Sequence, residues 1–190
     1  MGCQKELFKL YCLFLKADGQ WSAKEEALLS ELGRNLSSAS WSDLSEHEMQ
    51  KLTAEFRQRD LVNFNAVAAL IDVSGLTTLD SKDKALCILN LVKLGWADGS
   101  YSENERAFVS IIAHKLEVEP EIVSEYEDTL QTIAQLSEHK AWLEQQYLPV
   151  KEAKERMDQL EADLKLLLEQ SLKTAEIYGL SAEKKAQQGD

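Results

Sequence analysis

The chain has 190 residues, of which 44% are hydrophobic, and this length and composition allow a substantial buried core. Its formal net charge is −12, so nucleic acid and anionic membranes would repel it, and we expect neither as a direct partner. Cations and basic proteins fit this charge better. Only two prolines and eight glycines occur, which favours long helices over a loop-rich β protein.

Two predicted helices, over residues 3–16 and 82–96, are apolar on nearly all sides. The first contains Leu7, Phe8, Leu10, Tyr11, Cys12, Leu13, Phe14 and Leu15. The second contains Ala85, Leu86, Cys87, Ile88, Leu89, Leu91, Val92 and Leu94. Helices of this kind are normally buried at the centre of a domain. We therefore predict that these two form the core.

A nine-residue motif follows each apolar helix. It reads Ala-Asp-Gly, any residue, an aromatic residue, Ser, two free positions and Glu, and it occurs at 17–25 and again at 97–105. An amphipathic helix is predicted after each copy. Such self-similarity indicates a duplicated structural unit. The sequence therefore predicts an all-α fold, a helical bundle of two pseudo-symmetric halves plus a long C-terminal helix.

Most of the motif has a structural explanation as the end of one helix and the start of the next. Gly19 and Gly99 suit the left-handed conformation at a helix C-terminus. The Ser-x-x-Glu that follows is the capping-box pattern, in which the Ser and Glu side chains satisfy backbone amides at the start of a helix. The pattern pairs Ser22 with Glu25 and Ser102 with Glu105.

The aspartates of the motif, Asp18 and Asp98, are not explained by capping. A carboxylate at a helix C-terminus faces the negative end of the dipole, which costs roughly 0.3–1 kcal/mol. Two explanations remain open: each Asp accepts hydrogen bonds within its own loop, or it holds a ligand, either a divalent cation such as Ca²⁺ or a basic side chain. The pattern lacks the ligand spacing of an EF-hand. A cation would have to draw on both halves of the protein. The candidate metal ligands are Asp18, Glu25, Asp98 and Glu105, with Glu103 nearby.

Two more helices are predicted between the halves. Residues 42–60 have an amphipathic pattern that turns Met49, Leu52 and Phe56 inward, and residues 61–73 are largely apolar. Pro120 suits the first turn of the next helix.

The C-terminal part has a different pattern. Apolar residues spaced three and four apart form a heptad seam surrounded by Glu and Lys. Its members are Val150, Ala153, Met157, Leu160, Leu164 and Leu167. The seam fades at Ser171 and Thr174, and we expect a frayed tail from Ser181. The seam predicts a protein partner or self-association, although the helix could equally pack on its own bundle. We divide the chain into domains at 1–136 and 137–190.

No pattern of an enzyme is found. His47, His114 and His139 belong to no recognisable nucleophile, base or metal constellation. The three cysteines form no C-x-x-C and are expected to be buried thiols in a reducing compartment, which favours the cytoplasm. No apolar segment is long enough for membrane insertion. We therefore expect a non-enzymatic protein without a required cofactor.

The two motif copies keep the same register, and together with the helices around them they resemble the TerB family of tellurite resistance proteins. The resemblance covers about residues 4–135. The resemblance implies an all-α bundle of two related halves and a role in stress responses. It also implies a divalent metal site at acidic residues, which transfers to Asp18, Glu25, Asp98 and Glu105. The chain lacks the His-Pro-Asp of the J-domains that accompany similar domains, and its long C-terminal helix is not typical of the family.

Overall fold

The structure of the chain, a computed structural model, describes residues 3–17, 19, 21–38, 42–61, 63–144 and 150–188. Within these ranges the fold is all-α, with one short 3-10 turn at Ser74–Leu76 and no strand. The helices are α1 Gln4–Phe14, α2 Ala23–Ser37, α3 Glu46–Gln58, α4 Phe64–Ala68, α5 Ser81–Gly95, α6 Glu103–Leu116, α7 Pro120–Glu144 and α8 Val150–Gln188.

Helices α1 and α5 form the centre of the core, as their apolar sequences predict. Nearly every residue of α1 from Leu7 onward is buried, and α5 is buried along most of its length. The Phe14 and Phe108 rings pack in a T-shaped arrangement with centroids 5.4 Å apart, which joins α1 to α6. Asn90 on α5 donates to the hydroxyl of Tyr11 on α1 over 3.2 Å. These contacts link the two halves through one continuous core.

The helix starts follow local signals in the sequence. Complete capping boxes begin α2, α3 and α6. The side chains of Asn63 and Asp80 cap α4 and α5 by accepting from backbone amides three residues on. Pro120 occupies the first position of α7, where its missing N–H costs nothing.

The predicted helix over 61–73 is wrong. Within the described residues of this stretch the structure has one helix, the five-residue α4, and the chain then turns into the 3-10 segment. Asp72 accepts from the amide of Ser74 over 2.9 Å, which is a local bond that competes with helix continuation. Several apolar side chains of residues 64–76 are nevertheless buried and fill part of the core without a regular helical face, whereas Leu70 is 44% exposed. Those buried are Val67, Ile71, Val73 and Leu76.

Corresponding helices of the two halves pack in corresponding pairs. In the first half α1 contacts α2 and α3, and α2 contacts α3; in the second half α5 contacts α6 and α7, and α6 contacts α7. Contacts of α5 with α1 and α2 join the halves. A pseudo-symmetry relation between the complete halves remains a prediction.

Helix α8 packs on α5 and α7 of its own bundle. Of the predicted seam, Leu160 is buried and Met157, Leu164 and Leu167 are half-buried, whereas the side chains of Val150 and Ala153 lie outside the described residues. The inner face does not fade at Ser171, as the sequence suggested, because Ser171 and Ala175 are also buried.

Small residues let α8 approach α5 closely at this end. A Cβ added at Gly179 would lie 3.0 Å from Cβ of Lys82, so a larger side chain there would require a small shift of the neighbouring residue. The helix then continues to Gln188, although a frayed tail was predicted from Ser181. Helix α7 also runs without a break through residues 136 and 137, and the division into two domains at that point remains a prediction.

Candidate functional site

The two copies of the motif form similar connections, which we call the first elbow (residues 17–22) and the second elbow (residues 97–102). Gly19 has φ 79° and Gly99 has φ 100°, so both occupy the region that glycine adopts without steric cost. The cap hydroxyls, Ser22 Oγ and Ser102 Oγ, accept from the amides of Glu25 and Glu105 over 3.2 and 3.3 Å. The stop-and-start role predicted for the motif is confirmed at both elbows.

Of the two motif aspartates, Asp98 is engaged locally. Its Oδ1 accepts from the amide of Ser100 over 2.9 Å and from the Ser100 hydroxyl over 3.0 Å. This is the loop hydrogen bonding that the sequence left open as one of two explanations. Asp18 lies outside the described residues.

The two motif glutamates are buried at the helix starts. Glu25 and Glu105 are each 3% exposed, and their Oε2 atoms accept from the amides of Ser22 over 2.5 Å and of Ser102 over 2.8 Å. Both carboxylates therefore already serve the protein's own backbone. Among the described residues, no three His, Cys, Asp or Glu side chains are grouped so that they could hold a metal ion. Metal binding by the predicted set remains a prediction.

Arginine side chains cover the aromatic residue of each elbow. Arg57 of α3 lies over the Trp21 ring at 6.0 Å, and Arg106 of α6 lies over the Tyr101 ring at 4.5 Å. Lys16 also approaches Trp21, at 5.8 Å. Burial, and then the neighbouring Glu127, raise the pKa of Tyr101. Each elbow is thus closed by an aromatic–cation contact that the sequence analysis did not find.

An Arg–Glu ion pair accompanies each of these contacts, with the positions of Arg and Glu reversed between the two halves. In the first half Glu26 on α2 accepts from Arg57 on α3 over 2.6 Å. In the second half the position equivalent to Glu26 is Arg106, which pairs with Glu127 on α7 over 3.4 Å. In the first half the Arg lies on the third helix and the Glu on the second, and in the second half this arrangement is reversed. An Arg–Glu ion pair therefore joins the second and third helices of both halves. The reversed charge at this repeat position was the available signal in the sequence.

Each half also has a groove between its second and third helices. The α2–α3 groove has a volume of about 590 Å³ and the α6–α7 groove about 510 Å³. Equivalent repeat positions line both: Glu26, Ser30 and Arg34 in the first, and Arg106, Ser110 and His114 in the second. The ion pairs Glu26–Arg57 and Arg106–Glu127 lie in these grooves, so the charged side chains of each pair already contact one another.

The histidines lie on three different helices. His47 on α3, His114 on α6 and His139 on α7 are all exposed, and His139 stacks on Trp142 at 5.8 Å. Cys12 and Cys87 are buried and Cys3 is half-buried, all as free thiols. Burial raises the pKa of both buried thiols to about 12, which keeps them protonated and poorly nucleophilic.

The outward side of α8 carries large apolar residues that the bundle does not cover. Leu166 is 62% exposed, Ile177 is 63% exposed and Leu180 is 59% exposed. At about 100° per residue, Leu166 and Ile177 lie within about 20° of each other around the helix axis. We call the side formed by Ala162, Leu166, Glu169, Lys173, Glu176, Ile177 and Leu180 the outer face of α8. Its apolar members lie outside the predicted seam.

The part of the chain that the structure describes contains no helix with the length and apolar character needed to cross a membrane.

Comparison with known proteins identifies the family. The model of the family described as tellurite resistance protein TerB matches residues 4–128, which is well over half of the chain. The match covers both elbows and ends within α7, before α8. Searches of curated proteins and of solved structures gave no match. With an all-α bundle, two closed elbows and a family match over both of them, the chain belongs to the TerB family.

Proposed function

We propose that this protein is a non-enzymatic, stress-associated binding and scaffold protein of the TerB family, and that α8 is its protein-binding element. The observation that supports the proposal is the outer face of α8, where Leu166, Ile177 and Leu180 are each more than half exposed. Single exposed apolar residues are common, but a row of them on one helix side is typical of an interaction site.

In this proposal the predicted seam packs on the protein's own bundle and is not the partner-binding surface. Leu160 is buried, and Met157, Leu164 and Leu167 are half-buried, in a helix that packs on α5 and α7. Binding a partner through the seam would require α8 to leave the bundle. Binding through the outer face requires no such change, so the proposal places the partner there.

Site-specific photo-crosslinking in cells tests this function. A photoreactive amino acid at position 177 should give protein adducts, and the same group at Lys24, an exposed residue of α2, should give none. The adducts should disappear when Leu166→Glu, which places a charge on this apolar surface, is combined with the photoreactive group at position 177. Equal labelling at both positions, or none at position 177, would refute the proposal.

A second candidate function is binding of a divalent cation at the two elbows by Asp18, Glu25, Asp98 and Glu105. The observation in its favour is the acidic character of both elbows, where the half-buried Asp98 is held in place through Oδ1 alone. Calorimetry with Ca²⁺, Mg²⁺, Mn²⁺ and Zn²⁺ tests it. We expect heat from the wild type that is lost in the double variant Asp18→Ala, Asp98→Ala. No heat, or equal heat from both proteins, refutes this candidate.

The three free cysteines suit a reducing compartment, and we place the protein in the cytoplasm. Their behaviour in cells gives a direct test. Alkylation of the denatured protein immediately after lysis should modify all three thiols, whereas a disulfide in freshly lysed cells would contradict this location.

A further inference from the structure

We propose that the outer face of α8 binds the same face of a second copy of this chain, with the two helices antiparallel about a two-fold axis. This inference rests on the proposed function, because it names the partner of the surface proposed above. It uses residues outside the predicted seam, which continue to pack on their own bundle.

The outer face has the spacing of a second heptad seam. Ala162, Leu166, Glu169, Lys173, Glu176 and Leu180 follow one another at intervals of four, three, four, three and four residues. Ile177 lies beside this row. Such spacing keeps a row of side chains directed at a neighbouring helix over its whole length. From Ala162 to Leu180 the row covers about 27 Å at about 1.5 Å per residue, which suits a helix–helix contact.

The charges of this face are complementary to themselves. In an antiparallel pair centred on position 171, Glu169 of one copy lies opposite Lys173 of the other, and symmetry repeats the contact. Both residues are exposed. Within its own chain Glu169 has only a loose 4.0 Å contact with the exposed Lys165. The same-face pairing therefore brings two opposite-charge contacts to the middle of the interface.

The sizes of the remaining residues also match about the same centre. Ala162 lies opposite Leu180, so that the smallest side chain of the row faces one of the largest. Leu166 lies opposite the aliphatic part of Glu176, whose carboxylate is drawn toward its own bundle by Lys82 at 3.4 Å. A single two-fold axis at position 171 thus accounts for three favourable pairings: Glu169 with Lys173, Ala162 with Leu180, and Leu166 with Glu176.

Local charge favours a second copy at this place. The whole chain carries a formal charge of −12, which would oppose self-association over most of its surface. The outer face and its edge carry two cations, Lys165 and Lys173, and two anions, Glu169 and Glu176. Repulsion between copies is therefore low along this side of α8.

A charge-swap series on the full chain tests the inference by sedimentation equilibrium at about 0.15 M salt, where long-range repulsion is screened beyond about 8 Å. The wild type should be dimeric at micromolar concentration. Glu169→Lys alone and Lys173→Glu alone should each weaken the dimer at least tenfold, because each places like charges opposite one another twice. The double variant Glu169→Lys, Lys173→Glu should restore it, and an equimolar mixture of the two single variants should form heterodimers.

Circular dichroism spectra of the variants should equal that of the wild type, because both positions are exposed. Urea midpoints should agree at dilutions where the wild type is monomeric, and any extra stability of the wild type should appear only at concentrations where it is dimeric. A wild type that stays monomeric, or a dimer that the single variants leave unchanged, overturns the inference. The crosslinking at position 177 separates this failure from failure of the proposed function. Adducts of other masses from a monomeric chain would retain the binding role and reject the second copy, whereas no adduct would reject both.

Discussion

Replacing the cap serine of the second elbow, Ser102→Ala, should destabilise the protein by about 1 kcal/mol. The Ser102 hydroxyl accepts from the amide of Glu105 over 3.3 Å, and Ala would leave that amide at the start of α6 without its cap. Loss of a Ser cap typically costs about 1 kcal/mol, within a range of about 0.5–2. Because the first elbow has the same arrangement at 3.2 Å, Ser22→Ala should cost the same. Urea unfolding followed by circular dichroism measures both changes.

Ser110→Ala provides the matched control, since it makes the same substitution at an exposed position inside the same helix. There Ala should stabilise α6 by up to about 0.5 kcal/mol through its higher helix propensity. The reasoning would be refuted if Ser102→Ala proved as harmless as Ser110→Ala. A large difference between Ser22→Ala and Ser102→Ala would show that the two elbows are not equivalent.

Three further measurements address other parts of the fold. Gly99→Ala should cost about 1 kcal/mol in a thermal melt because a φ of 100° is strained for Ala; an unchanged melt would contradict this. The bond from Lys5 lowers the pKa of Glu48 to about 2, so the stability that this carboxylate contributes is present above its ordinary pKa of 4.5 and is lost as pH falls toward 2. NMR titration of Lys5→Gln should show the pKa of Glu48 rising, and no rise would exclude the pair as the cause. Burial raises the pKa of Cys87 to about 12, so a maleimide should label half-buried Cys3 much faster, and equal rates would contradict that burial.

The elbows could be predicted from the sequence because their interactions are short-range. Each capping box links residues three positions apart, and each elbow glycine precedes its cap serine by three residues. The apolar character of α1 and α5 likewise predicts that they are buried, and this prediction needs no information on the helices that surround them. The failed prediction over residues 61–73 has the opposite cause. Val67, Ile71 and Val73 of this stretch are buried, but burial alone does not require a helix when Asp72 accepts a hydrogen bond within its own loop.

The candidate metal residues show the same division. Capping of α2 by Glu25 and α6 by Glu105 follows from sequence spacing. A loop bond for Asp98 was one of the two explanations that the sequence left open, and the structure supplies it. Whether carboxylates from two halves approach one another depends on packing between helices that lie about 80 residues apart in the chain. A local sequence pattern carries no information on the distance between carboxylates of the two halves. The spacing could therefore indicate candidate metal ligands but could not show that they form one site.

The sequence by itself determined where most helices begin, that the Ala-Asp-Gly elbow occurs twice, and which two helices are central, because capping and apolar periodicity act within a few residues. Only the tertiary structure decided that Arg57 covers Trp21 from α3 while Arg106 covers Tyr101 from α6. It also decided which side of α8 meets the bundle. That helix carries apolar residues on two sides, and the side that is buried depends on the surfaces that α5 and α7 offer. This choice leaves Leu166 and Ile177 exposed to solvent, where a partner can reach them.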